Sequence, residues 1–332
     1  MRTTDQILSK RLCATLGALC VFFALSFNSV SAQNDAPRAD ETLDIAVVMA
    51  LNSSAGWDLS FREALERFAA RPPEDLSIRA TLYAPAPNRL RDLAESQRYD
   101  VIWAHSHASD RVEPLMLAHP RVLFVVAGDG NRPLGGAQLW VMKRLHEPSW
   151  LLGALAARLS KSGVIGVVGT VPYADVNDQM NAFLAGARET RPDIRTHVSF
   201  IDAWSGADKV AAATAAQSAQ GADIVFRLAS GKTPCAELNV RCFGNFTADP
   251  DAIASALALW EADLRLAAEV WRKGSPLAAP KEGVWRGLAQ HGVGLHIDSA
   301  EVSPGQVAEI ERLQREIANG DRVIPIDPRR PR

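Results

Sequence analysis

One pattern constrains this chain more than any other. Short, almost purely apolar runs alternate with amphipathic stretches, and the alternation occurs twice. In the first series, TLDIAVVMAL, SIRATLYA, YDVIWAHS and RVLFVVAGD are separated by segments of helical period: Ser60 to about Ala70, PNRLRDLAESQ and DRVEPLMLAHP. Strands without a wet face belong to parallel sheets covered by helices on both sides. A second series begins after QLWVMKRL, with helix EPSWLLGALAARLSK, strand GVIGVVG and helix DVNDQMNAFLAGARETRP. Strand THVSFIDAW, helix ADKVAAATAAQSAQG and strands ADIVFRLA and VRCFGN complete it. The fold class is α/β: two doubly wound Rossmann-like lobes with a hinge and a cleft between them. A long helix from about Pro250 to Lys273 and the tail from GVWRGLA to IPIDP remain, as expected of a chain that recrosses between lobes. This places 43–142 plus about 247–282 in the N-terminal lobe. The C-terminal lobe takes 143–246 plus about 283–332.

The first 32 residues stand outside that pattern. Arg2, Lys10 and Arg11 precede the apolar LCATLGALCVFFALSF, and Ser29-Val30-Ser31-Ala32 offers small residues before Gln33. This reads as a secretory signal peptide rather than a membrane anchor, because the apolar core is short for a bilayer. LGALC resembles a lipobox only loosely, since the apolar run continues past Cys20. Residues 33–42 form a polar, flexible lead-in, and the mature protein is expected in the periplasm as a monomer. Two of the chain's four cysteines leave with the peptide; Cys235 and Cys242, with six residues between them, remain. In an oxidising compartment they are expected to form a disulfide, with two free buried thiols as the alternative.

Charge and motifs narrow the function. The net charge is −2 and no basic run occurs, so nucleic acid is not an expected partner. SAGWD carries a single glycine where a dinucleotide loop needs GxGxxG, and neither a P-loop nor a GxSxG elbow is present. No cofactor is implied, and no nucleophile–base pair marks an enzyme. His105 and His107 in AHSHASD point the same way at a strand end, near Asp110. They line a cleft or, as the alternative, belong to a metal-binding protein or metallohydrolase. Asp129 ends a parallel strand, where ligands sit, or else caps a turn. Trp204, in the comparable place of the second lobe, is either a stacking plate or a hydrophobic plug.

The order of these segments resembles that of the basic membrane protein (PnrA-like) family of ABC transporter substrate-binding proteins. SSAGWDLSFREALE is similar to the family's first loop and helix, which typically end in Asp-Lys-Ser-Phe-Asn. EPSWLLGALAARLSKSGVIGVVGTVPYADVNDQMNAFLAGARETRPDI is similar to its second-lobe opening. YDVIWAHSHASDRVEPLMLAHPRVLFVVAGD, QGADIVFRLASG and the ending GVGLHIDS…EIERLQREIANGDRVIP fit in order. The resemblance implies a type I periplasmic binding fold that takes a purine nucleoside or related planar ligand between its lobes and delivers it to a permease. It places Phe61 as the ring that stacks on the base and Asp129 as the acid on the ribose hydroxyls. Asn52 stands where many members have an acid that contacts the base, and Asn245 where members show Gly-x-Asp-x-Asp. Arg62 departs from the family's Asn. Trp57, Asp58, His105, Ser106, Asp110, Tyr173, Trp204 and Arg227 complete the expected ligand site. A ligand held between Phe61 and Trp204, on different lobes, would draw them closed. A sensor serving a membrane receptor would share this pocket. Ser60-x-x-Glu63 reads as a capping box, which puts Phe61 in the first helical turn at the cleft mouth, with Trp57 and Asp58 on the lip.

Overall fold

The computed structural model describes residues 41–50, 56–106, 109–128, 138–229, 235–298 and 300–332. The expected signal peptide and most of the lead-in lie outside these residues. The lead-in's last two residues belong to the first strand, β1 (Glu41–Val48), where they pair with Leu76 and Ser77 of β2 (Leu76–Tyr83).

Helices and strands then alternate through α1 (Gly56–Ala70), α2 (Arg89–Glu95), β3 (Val101–His105), α3 (Ser109–Ala118), β4 (Leu123–Ala127) and β5 (Gln138–Lys143). The second series runs α4 (His146–Leu159), β6 (Val164–Gly169), α5 (Ala174–Thr190), β7 (Arg195–Phe200), α6 (Ala207–Ala219), β8 (Ile224–Arg227) and β9 (Arg241–Phe246). The chain ends with β10 (Ala254–Ala258), α7 (Glu261–Arg272), β11 (Val284–Arg286), β12 (Val293–Ile297) and α8 (Pro304–Asn319). Two sheets result, in the orders β2-β1-β3-β4-β5-β11 and β7-β6-β8-β9-β10-β12. Every pairing is parallel except that of β12 with β10. In each sheet the order reverses once, between β1 and β3 and between β6 and β8. The carboxyl ends flanking such a reversal are where open α/β sheets bind ligands.

Two segments depart from the sequence reading. ASALA, read as the start of a long helix, is strand β10 of the second sheet, and β11 joins the first sheet. The lobe boundaries expected near 247 and 283 therefore shift. Among the described residues, lobe 1 holds those of β1 to β5, α7 and β11, and lobe 2 those of α4 to β10, β12 and α8. Alanine is the best helix former, but propensity is a weak prior, and burial of these small side chains between β9 and β12 overrides it. The chain passes between lobes three times, at Arg144–Leu145, Leu259–Trp260 and Gly287–Gly292.

Period-2 alternation fills both faces of the first sheet. Leu43, Ile45 and Val47 join a core with Phe61, Leu65 and Phe68 of α1, while Ala46 and Val48 join another with Leu90 of α2 and Val112 of α3. In lobe 2 the almost wholly buried α4 packs on α5, α8 and β10. It crosses α5 so closely that a Cβ on Gly153 would stand 1.9 Å from the Phe183 carbonyl oxygen, and one on Gly186 2.1 Å from that of Trp150. The expected Cys235–Cys242 disulfide is formed, with Cα atoms 6.1 Å apart, and ties the segment after β8 to β9.

Candidate functional site

The site grows from the reversal in lobe 1. Helix α1 starts at Gly56 and sets Trp57 in its first turn, facing His105 at the carboxyl end of β3. The two rings stack with centroids 5.3 Å apart and planes 24° apart. Phe61, one turn further along α1, packs on the same imidazole at 4.7 Å with planes 33° apart and also meets Trp103 at 4.6 Å. Trp260, the residue before α7, stands edge-on to Trp57 at 4.7 Å, to His105 at 5.2 Å and to Phe61 at 5.4 Å. Asp58 lies beneath, fully buried, with a carboxylate oxygen 3.7 Å from His105 Nε2.

Three strand-end residues grip Trp57, all of them in the left-handed region. Ser106, with φ of 59°, accepts a 2.6 Å hydrogen bond from Trp57 Nε1. Gly128, with φ of 92°, passes so near the indole that a Cβ there would stand 3.1 Å from Trp57 Cζ2. Phe246 of lobe 2, with φ of 74°, sets its ring edge-on to Trp57 at 5.5 Å. Non-glycine residues in this conformation are held there by their surroundings and cluster at functional sites. Trp57 is only partly buried and touches both lobes.

Lobe 2 contributes polar groups. Arg227, at the end of β8, is buried and donates to Asp249 at 2.7 Å. Burial pushes its guanidinium below the ordinary arginine range, and Asp249 opposes that shift. At the end of β9, Asn245 Nδ2 donates to Gln179 Oε1 at 3.0 Å, and Gln179 Nε2 donates to the Asp175 carbonyl at 3.3 Å. The second bond orients Gln179, which in turn orients Asn245, so Asn245 presents its Oδ1 as a buried acceptor. Tyr173, at the start of α5, meets Trp204 at 6.0 Å, and both rings are about half exposed.

The three crossings are joined by charge. Lys143, at the end of β5, donates from its buried ammonium to the Leu259 carbonyl and to an Asp263 carboxylate oxygen. Arg286 of β11 donates to the other Asp263 oxygen at 2.6 Å. Burial pushes the Lys143 ammonium below the usual lysine range, and Asp263 counters the shift.

The geometry corrects several expectations. Ser60 does not cap α1, because the helix begins four residues earlier; its Oγ donates to the Trp57 carbonyl at 2.7 Å and accepts from Trp260 Nε1 at 2.9 Å. Phe61 lies in the second turn with no exposed surface, so it supports the rings above it instead of standing at the mouth. Asp58 is beneath the lip, not on it. Phe61 and Trp204 do not face each other; the ring that meets lobe 2 is Trp57. Asn52, His107 and Asp129 lie outside the described residues, as does the side chain of Asp110 in α3. Of the alternative metal set only His105 is described, enclosed by rings, and no group of three or more metal-binding side chains occurs among the described residues. The sequence reading missed Trp260, Gly128, Gln179 and Phe246. Of these, only Gly128 carried a local signal, a glycine closing an apolar strand.

Comparison with known proteins fits this architecture. Residues 55–241 match the family of PnrA-like ABC transporter substrate-binding proteins. The chain is 37% identical over 82 residues to a purine-binding protein of Brucella abortus, covering 25% of this chain and 23% of that one. It is 28% identical over 86 residues to the ABC transporter nucleoside-binding protein BmpA of Lactococcus lactis, covering 26% and 24%. With basic membrane protein A1 of Borrelia garinii it shares 21% over 216 residues, 63% of this chain and 61% of that one. The chain thus spans from about a quarter to three fifths of the length of these curated relatives. Among solved structures, an ABC transporter solute-binding protein from Aeropyrum pernix superposes with a TM-score of 0.67 at 14% identity, over 86% of this chain and 94% of that one. A transcriptional activator of the comK gene from Bacillus halodurans gives 0.68 at 16% identity, over 84% and 99%. At such identities these structures speak to the fold alone. The family match covers more than half of the chain, which belongs to the PnrA-like ABC transporter substrate-binding proteins.

Proposed function

We propose that this protein is the extracytoplasmic solute-binding component of an ABC transporter, and that it takes a purine base or nucleoside between its lobes for presentation to a permease. The observation that carries the reading is Trp57, a partly exposed indole at the lobe-1 reversal that is backed by His105 and meets lobe 2 through Phe246. A planar heterocycle laid on such a ring gains burial and dispersion, and stacking of one base contributes about 1–3 kcal/mol. Asn245 Oδ1 suits an N–H of the base, and Arg227 lies at the neighbouring strand end. Asn52, Asp110 and Asp129 belong to the same site in this reading, while Tyr173 and Trp204 form its outer rim. The names of the Brucella and Lactococcus relatives support the ligand class. The protein binds without catalysis, as a monomer, after loss of its first 32 residues on export to the periplasm; among the described residues no helix is long and apolar enough to cross a membrane.

The test is a thermal-shift and calorimetric screen of unfolded and refolded, ligand-free protein against adenine, guanine, hypoxanthine, adenosine, guanosine, inosine and uridine. A ligand at 100 times its Kd stabilises by about 2.7 kcal/mol, enough to raise the melting temperature by several degrees. At least one purine is expected to do so and uridine is not. If no purine shifts the transition, the reading is wrong.

A further inference from the structure

Trp260 occupies an unusual junction. Its ring stands edge-on to Trp57 at 4.7 Å and 76°, and its Nε1 donates to Ser60 Oγ at 2.9 Å. Ser60 Oγ in turn donates to the Trp57 carbonyl, so Trp260 touches the side chain of Trp57 directly and its backbone through one hydroxyl. The Lys143 ammonium also lies over this ring, 4.3 Å from its centroid, a cation–π distance. That ammonium brackets Trp260 in the chain, since it binds the carbonyl of Leu259 just before and the carboxylate of Asp263 three residues after. Arg286 holds the other oxygen of the same carboxylate. Lys143, Leu259–Asp263 and Arg286 stand at the three points where the chain passes between lobes. Turning one lobe against the other twists the second crossing at Leu259–Trp260, and the Trp260 ring cannot turn without pushing Trp57 or breaking its bond to Ser60.

We propose that Trp260 is a positioning residue that fixes the plane of Trp57 and ties it, through Lys143, Asp263 and Arg286, to the angle between the lobes. A ligand lying on Trp57 is then sensed at the hinge, and the hinge angle sets how well Trp57 is placed to receive one. The inference rests on the reading that the solute binds at Trp57.

Four variants test it: Trp260→Leu, Trp260→Phe, Ser60→Ala and the Ser60→Ala/Trp260→Phe double. Each is checked for native folding by circular dichroism. The radius of gyration from small-angle scattering is measured without ligand and with saturating adenine or adenosine, and Kd by calorimetry. Trp260→Leu is expected to enlarge the ligand-free protein and to raise Kd about tenfold or more. Trp260→Phe, which keeps a ring, should recover part of both. Ser60→Ala and Trp260→Phe break the same hydrogen bond from opposite ends, so their losses should not add in the double variant. Wild-type dimensions and affinity in Trp260→Leu would overturn the inference, and so would full additivity of the other two, which still reports if Trp260→Leu does not fold. Should wild-type protein bind neither adenine nor adenosine, the proposed function fails, and the ligand-free dimensions alone decide the role of Trp260.

Discussion

The two walls that meet at the cleft are made of different chemistry. Lobe 1 presents rings: Trp57 outermost, with His105, Phe61, Trp103 and Trp260 packed behind it. Lobe 2 presents an oriented amide at Asn245 and a guanidinium at Arg227, each held by a neighbour, with a half-exposed aromatic pair further out. Burial against a ring is not directional and tolerates many planar solutes. A fixed acceptor is directional, and it penalises a ligand that cannot supply the matching donor, because a buried polar group is left unpaired. On the proposed reading the contrast implies a division of labour: lobe 1 would supply most of the affinity, and lobe 2 would select among solutes.

The largest effect is expected from Trp57→Ala. Loss of about 1–3 kcal/mol of stacking weakens purine binding by roughly 5- to 150-fold, measured by calorimetry on variant protein shown to be folded by circular dichroism. Unchanged affinity would erase the distinction between the walls. Next comes the disulfide, which belongs to lobe 2 alone. Cys235→Ser with Cys242→Ser removes a short covalent loop and should lower stability by about 2–3 kcal/mol in urea unfolding. Hydrogen exchange in that variant is expected to rise in β8 and β9 and to stay unchanged in lobe 1. Trp204→Ala should raise Kd by about threefold or less, because its half-exposed ring is partnered by Tyr173 and not by Trp57. A loss as large as that of Trp57→Ala would move the second plate back to lobe 2.

The smallest effect concerns acid. Arg79 grips Asp44 on β1 with two hydrogen bonds of 2.7 Å and holds its carboxyl below the usual aspartate range. A carboxylate with a lowered folded-state pKa contributes stability above its unfolded value and loses it as pH falls through the lowered one. The difference in urea midpoint between wild type and Asp44→Asn is therefore expected at neutral pH and should vanish in strong acid. It will be small, since solvent screens an exposed pair.

Much of this was legible in the sequence, for physical reasons that differ along the chain. Strands such as VIWAH and LFVVA are apolar but for the terminal His105 and buried at every residue, as in a parallel sheet covered on both faces, so the layered fold followed directly. ASALA misled because alanine favours a helix locally, while the deciding neighbours, β9 and β12, come from other parts of the sequence. Three-residue β11 is too short to show a period. The residues around GWDLSF and AHS were expected at the cleft, and the structure stacks Trp57 on His105 at the lobe-1 reversal. Which ring faced outward was not legible: Trp57 and Phe61 lie one turn apart on α1, and the choice depends on where the helix begins. Ser60 imitated a cap because S-x-x-E is only a local signature, whereas its real partner, Trp260, is 200 residues away. Gln179 and Phe246 became visible only once tertiary contacts placed them beside Asn245 and Trp57.

The crossing of α4 and α5 has a mechanical meaning. Gly153 and Gly186 leave no space for a side chain between the two backbones, so neither helix can slide or swing against the other without collision. Helix α4 starts directly after the first crossing, and its 14 residues reach about 21 Å into lobe 2. It is thus a stiff shaft set in a tight socket. Its partner α5 starts directly after Tyr173 and carries Gln179 in its second turn. On the proposed reading, the rim of lobe 2 would move in step with the hinge, as the blade of a key moves with its bow.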